Sequence, residues 1–180
     1  TSPPDEYITA LDGDENHAFI ARSSGAVELL DTSNPYSPTV TGFYSSTQDV
    51  HVLRQAGDLL LVGGYYGDVQ IVDFSNPLSP SLVSEIVIPM QIKDIQVDGG
   101  WAYVAADDSG AEYWQTFAGA PGVWVFDIND PYNPTLLGIH PSKANRIQIA
   151  DGLMYVSAVG DGLQVVGLWE PSLFLPQVLR

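Results

Sequence analysis

The sequence predicts an all-β chain built from four copies of one small unit, and three observations carry that prediction. First, three segments superpose residue for residue: Val27 to Pro38 (VELLDTSNPYSP), Val69 to Pro80 (VQIVDFSNPLSP) and Val123 to Pro134 (VWVFDINDPYNP). Second, the apolar residues of each unit fall into short runs with turn residues between them, the signature of strands in hairpin succession. Third, no stretch of more than about ten residues keeps a helical 3.6 period free of Gly and Pro.

The first prolines of the repeated turn set the period. Pro35 and Pro77 stand 42 residues apart, Pro77 and Pro131 stand 54 apart, and Pro131 and Pro171 stand 40 apart, so the third unit carries an insertion of about a dozen residues. A fourth copy, Leu163 to Pro171 (LQVVGLWEP), has lost the Asp and the second Pro, as a terminal repeat commonly does. Residues 1–7 read as a linker, and residues 8–180 divide into repeats of about 8–47, 48–90, 91–142 and 143–180. The second repeat shows its strands most clearly: Asp49 to Leu53, Leu59 to Gly63, Val69 to Phe74 and Leu82 to Ile88. Four such strands per unit give the blade of a β-propeller, as a closed four-blade ring or as a segment of a larger propeller.

The Asp-x-Ser-Asn-Pro-x-Ser-Pro turn has a local physical reason. Asn and Asp side chains accept from nearby backbone N–H groups, and each proline presets φ and ends strand pairing. The apolar strand that runs into this Asp, seen in Leu29-Leu30-Asp31, Ile71-Val72-Asp73 and Val125-Phe126-Asp127, resembles the LVIVD repeat family. The likeness covers roughly residues 8 to 175. It implies propellers built from units of about 42 residues, found mostly on microbial surface or secreted proteins, and implies little about activity.

Composition narrows the function classes. Six basic against 22 acidic residues give a net charge of −16, a field that repels phosphate backbones and attracts cations or basic partners, so nucleic acid is not an expected partner. The absence of cysteine removes disulfide frameworks, thiolate nucleophiles and cysteine-ligated zinc or iron–sulfur sites. The longest uninterrupted aliphatic run, Leu59 to Val62, is far below the roughly 18 residues of a membrane span. The start, Thr1-Ser2-Pro3-Pro4, lacks an initiator Met and reads as a linker or a processed terminus. Lysine occurs only at Lys93 and Lys143, a balance associated with secreted proteins, and the expected location is extracellular or at the cell surface.

Candidate sites follow from the repeat phase. The first strand of every blade lines a propeller's channel, and here those strands offer Asp49 and His51, Lys93, Asp94 and Gln96, and Arg146 and Gln148 as a ligand site at the channel mouth, set against plain channel lining. The insertion places Tyr113, Trp114 and Phe117 in a Gly-containing loop suited to a protein or carbohydrate partner, or to capping a blade edge. Asp107 and Asp108 are weak Ca²⁺ candidates and no other cofactor is expected. Asp12-Gly13-Asp14-Glu15-Asn16 has alternating oxygen ligands but lacks the rest of a calcium loop, and it reads first as a hairpin turn. His17, His51 and His140 show no metal-binding spacing.

The expected function is a noncatalytic binding or scaffold propeller. The alternatives are a carbohydrate-active hydrolase or lyase with its site at the channel mouth, for which the sequence shows no catalytic motif, and a self-assembling structural repeat protein completed by other copies or further blades.

Overall fold

A computed structural model describes residues 6–107 and 120–168. Fifteen antiparallel strands account for the regular structure of the described residues, and no helix occurs among them. Sheet 1 comprises β1 (Ile8–Gly13), β2 (His17–Arg22), β3 (Ala26–Asp31) and β4 (Thr39–Ser45). Sheet 2 comprises β5 (Val50–Ala56), β6 (Leu59–Gly64), β7 (Asp68–Asp73) and β8 (Ser81–Val87). Sheet 3 is made of β9 (Gln91–Asp98), β10 (Trp101–Asp107), β11 (Gly122–Asp127) and β12 (Thr135–Pro141), and sheet 4 of β13 (Ala144–Ala150), β14 (Leu153–Ala158) and β15 (Gly162–Gly167). In every sheet the strands lie side by side in chain order. The chain divides into two compact units, Thr1–Val87 with sheets 1 and 2, and Ile88–Arg180 with sheets 3 and 4.

Local chemistry explains the hairpins. Gly99 and Gly100 join β9 to β10 with φ of 56° and 83°, and Asp151 and Gly152 join β13 to β14 with φ of 53° and 73°. Two successive positive φ values match the right-handed twist of the flanking strands, which is why Gly, and Asp with its short polar side chain, occupy these positions.

The repeated turn is a pair of side-chain-closed turns. Asp73 Oδ1 accepts the Ser75 N–H at 2.7 Å and Asn76 Oδ1 accepts the Leu78 N–H at 3.2 Å. Asp31 and Asn34 do the same for Ser33 and Tyr36, and Asp127 and Asp130 for Asn129 and Tyr132. Hydrogen bonds from Ser33 hold the Asp31 carboxyl below the usual carboxylate range, and those from Ser75 and Asn129, the backbone N–H foremost, do so for Asp73 and Asp127.

A regular departure from strand alternation recurs in every sheet. The register of the first strand against the second slips at one residue: Thr9 in sheet 1, His51 in sheet 2, Lys93 in sheet 3 and Asn145 in sheet 4. A second slip falls between Leu29 and Leu30, between Ile71 and Val72, and between Val125 and Phe126. Each bulge inserts one unpaired residue and increases local twist. Val50 and Leu53, three residues apart, consequently face the same core.

Each unit buries a core between its two sheets. In the first, Phe19, Ala21, Val27 and Leu29 of sheet 1 pack on Val50, Leu53, Leu60, Val62, Val72 and Phe74 of sheet 2, with Phe19 edge-on to Phe74 at 5.0 Å. In the second, Tyr103, Ala105, Val123 and Val125 of sheet 3 pack on Ala144, Ile147, Met154 and Val156 of sheet 4. The strand registers make these equivalent positions, so one contact is built twice.

Two outcomes test this account. Leu60→Ala empties a fully buried position and is expected to cost about 2–5 kcal/mol in chemical denaturation, against almost nothing for the exposed Leu78→Ala. Asp73→Ala is expected to lower the melting temperature at pH 7. Because the Asp73 pKa is depressed by folding, its contribution is present above the ordinary carboxylate value of about 4 and is lost as pH falls through the depressed value, so the gap between wild type and variant closes in acid.

Candidate functional site

The bulge in β5 turns His51 outward at one end of sheet 2. Its Nε2 lies 3.6 Å from Asp49 Oδ2, and the two side chains keep 40% and 51% of their accessible surface. The turn joining β6 to β7 approaches the same residues, since the Tyr65 N–H donates to the Asp49 carbonyl at 2.9 Å. The Tyr65 ring stands 5.2 Å from the His51 ring, and Tyr66 meets Tyr65 edge-on at 5.3 Å with 55% of its surface exposed. Gly67, at a φ of 100°, closes the turn by donating to the Gly64 carbonyl at 3.4 Å. The result is an exposed platform of three rings beside a carboxylate.

A polar network that runs from the buried Gln70 to the exposed Glu85 supports this end of the sheet. Gln70 Oε1 accepts from the Tyr44 hydroxyl at 3.2 Å and the Ser46 hydroxyl at 3.0 Å. Glu85 Oε1 accepts from Gln48 Nε2 at 3.0 Å and Gln70 Nε2 at 3.3 Å. Burial, and then the neighbouring Glu85 charge, raises the Asp68 carboxyl above its ordinary value.

The sequence-predicted residues of the second unit form a different kind of group. Asp94 is buried; its Oδ1 accepts the Ile95 N–H at 2.9 Å and its Oδ2 accepts the Ile147 N–H of the neighbouring sheet at 2.8 Å. Arg146 Nη1 donates to the Lys93 carbonyl at 2.8 Å, and Lys93 Nζ donates to Gln91 Oε1 at 2.6 Å. These contacts tie β9 to β13. Gln148 donates to the Ile149 carbonyl at 3.2 Å, and Gln96 is half-buried on β9. The structure thus brings Asp49 and His51 together in one unit and Lys93, Asp94 and Arg146 together in the other.

Asp107 ends β10 and is buried, while Asp108, Tyr113, Trp114 and Phe117 lie outside the described residues. Among the described residues no group of three or more His, Cys, Asp or Glu side chains is placed to hold a metal ion. The Asp12–Asn16 segment is a turn: Asp14 Oδ1 accepts the Asn16 and His17 N–H groups at 2.8 and 2.9 Å. Its carboxylates also clasp the next sheet, with Asp12 accepting from Arg54 at 3.1 Å and from the Gln55 N–H at 2.6 Å. A cleft of about 220 Å³ opens beside this clasp, lined by His17, Phe19, Leu29, Gln55, Asp58 and Phe74 among others.

The sequence pattern gives Tyr65 and Tyr66 no site role, since they fall between the second and third strands of the second repeat. The available signal is positional, because the β6–β7 turn of sheet 2 is the equivalent of the β10–β11 connection of sheet 3 that carries the insertion.

The LVIVD repeat profile matches residues 14–46, 46–87 and 91–110. The chain belongs to the LVIVD-repeat family. No curated protein matches it. By fold this LVIVD-repeat chain is similar to the crystal structure of the computationally designed Ika4 protein, with a TM-score of 0.69 at 16% identity over 93% of this chain and 94% of Ika4. It is also similar to the computationally designed Ika8 protein, with a TM-score of 0.68 at 16% identity over 89% of this chain. The chain spans 46% of the length of Ika8. Four antiparallel sheets with strands in chain order, and these neighbours, make the fold propeller-like. No helix among the described residues is long and apolar enough to cross a membrane.

The raised pKa of Asp68 makes a testable statement. A carboxyl whose folded pKa lies above its unfolded value costs stability once pH rises through the folded value, and costs nothing below about pH 4, where it is protonated in both states. Asp68→Asn is therefore expected to raise the melting temperature at pH 7 and to leave it unchanged well below pH 4.

Proposed function

We propose that this LVIVD-repeat chain is a noncatalytic binding or scaffold domain of an extracellular or cell-surface protein, its sheets serving as the blades of a propeller. The observation that carries the reading is the exposed Asp49–His51–Tyr65–Tyr66 platform. Aromatic faces supply apolar contact area at small entropic cost, and the adjacent carboxylate and imidazole accept and donate hydrogen bonds at its edge. That combination suits a ligand with alternating C–H and hydroxyl faces, and a saccharide is the ligand class it fits best. A short protein segment is the other class that such a surface takes. The net charge of −16 adds a preference for neutral or basic ligands over anionic ones.

The location rests on the family resemblance and on the scarcity of lysine. Binding of the purified chain to arrayed glycans and extracellular proteins tests the reading. Tyr66→Ala is expected to weaken the captured ligand by roughly ten-fold or more, the loss of one aromatic anchor, without changing the melting temperature. Turnover of the captured saccharide, or binding that Tyr66→Ala and His51→Ala both leave intact, would overturn it.

A further inference from the structure

The cleft beside the Asp12–Arg54 clasp is lined entirely by residues of the first unit. Strand register identifies its counterpart in the second unit. His17 pairs with Asp31 as Trp101 pairs with Asp127, and Gln55 pairs with Leu60 as Ile149 pairs with Met154. The Phe74 N–H donates to the Asp58 carbonyl at 2.8 Å as the Leu168 N–H donates to the Gly152 carbonyl at 3.0 Å. The second unit therefore carries Trp101, Ile149, Leu168 and Gly152 where the first carries His17, Gln55, Phe74 and Asp58.

The two units use this position differently. Trp101, Ile149 and Leu168 pack against the second core. In the first unit an imidazole replaces the indole, an amide replaces the branched aliphatic, and a cleft of about 220 Å³ stands at this place. Its apolar wall is kept: Phe19, Leu29 and Phe74 are all buried, and Phe19 meets Phe74 edge-on at 5.0 Å.

The polar groups added around that wall are acceptors. Gln55 Nε2 donates to Asp14 Oδ2 at 3.1 Å and to the Gly57 carbonyl at 3.3 Å, which fixes the orientation of the amide. Gln55 Oε1 is then buried with no hydrogen-bond partner among the described residues, a state in which acceptors are seldom left. Asp58 stands exposed at the rim. Asp14, its carboxyl held below the ordinary range chiefly by the Asn16 N–H, adds a second negative charge next to Gln55 and lies 3.3 Å from His17 Nδ1.

We infer that this cleft binds a small organic cation, a primary ammonium carried on a single aromatic ring. Volume sets the body of the ligand, since an apolar cavity of about 150 Å³ accepts a benzene ring and Phe19 and Phe74 offer edge and face contacts to one. The acceptors set its head. An ammonium brings N–H donors and positive charge to Asp58 and Gln55 Oε1, whereas an anionic head would meet Asp14 and Asp58 in a protein of net charge −16. The cleft shares no residue with the Asp49–His51–Tyr65–Tyr66 platform, so this site stands or falls independently of that one.

Titration of the full chain with benzylammonium chloride, followed by proton–nitrogen NMR, tests the inference, with benzyl alcohol and benzoate as the neutral and anionic counterparts. Saturable shifts are expected at the backbone amides of His17, Gln55, Asp58 and Ser75. The ammonium is expected to bind at least about five-fold more tightly than the alcohol, and the alcohol more tightly than benzoate. Asp58→Asn alters an exposed side chain and is expected to keep the wild-type melting temperature while bringing the ammonium down to the affinity of the alcohol. Asp161→Asn removes the same charge from an exposed turn of the second unit and is expected to leave binding unchanged. His17→Trp combined with Gln55→Ile installs the residues of the second unit and is expected to abolish binding of ammonium and alcohol alike. Equal affinity for the ammonium and the alcohol, shifts that do not saturate or that spread over the acidic surface, or an Asp58→Asn variant that binds like Asp161→Asn would each overturn the inference.

Discussion

Packing of a Phe19-type face on a Leu53-type face is the interaction on which the rest of this structure depends. A four-stranded antiparallel sheet of about six residues per strand has no interior of its own, and it becomes stable only when its apolar side chains are removed from water by a neighbour. The two cores meet this requirement with equivalent residues, Phe19 and Tyr103 on one side, Leu53 and Ile147 on the other.

The bulges connect that packing to the surface. If the first strands alternated strictly, Val50 and Leu53, three residues apart, would point to opposite sides of the sheet. The inserted residue at His51 shifts the phase, puts Val50 and Leu53 together in the core shared with sheet 1 and leaves the imidazole outside beside Tyr65. The equivalent insertion at Lys93 sets the phase of Asp94, whose carboxylate then accepts main-chain N–H groups from both β9 and β13. The same backbone irregularity thus makes an exposed cluster in one unit and a buried strand clamp in the other, and the difference lies in the side chains that the repeat carries there.

Turn chemistry is the second constraint, and it is local. The paired Asp and Asn side chains of the first two repeats, and Asp127 and Asp130 of the third, close their own backbone at 2.7 to 3.2 Å, and Tyr36, Leu78 and Tyr132, which follow the turn's first proline, are all exposed. Carboxylates committed in this way contribute to the net charge of −16 without forming a ligand site. Charge alone therefore says little about which acids bind anything, and the acids with functional potential are those, such as Asp49, that stand at a strand end beside exposed rings.

The repeat period, the all-β class, the strands of the second repeat and the closing role of Asp31, Asp73 and Asp127 were legible in the residues because each depends on interactions within a few positions along the chain. The bulges were not, since an extra residue in a strand is defined by its partner strand and leaves no mark in the strand's own pattern. For that reason Asp94 reads from sequence as an exposed channel residue but is buried under main-chain bonds, and Tyr65 and Tyr66 read as turn filler but stand against His51. The sequence by itself determined how many units the chain has and where each turns. Only the tertiary structure decided which face of each sheet is covered and which polar side chains meet, because both depend on contacts between segments far apart in the chain, such as Asp12 with Arg54, 42 residues on, and Asp94 with Ile147, 53 residues on.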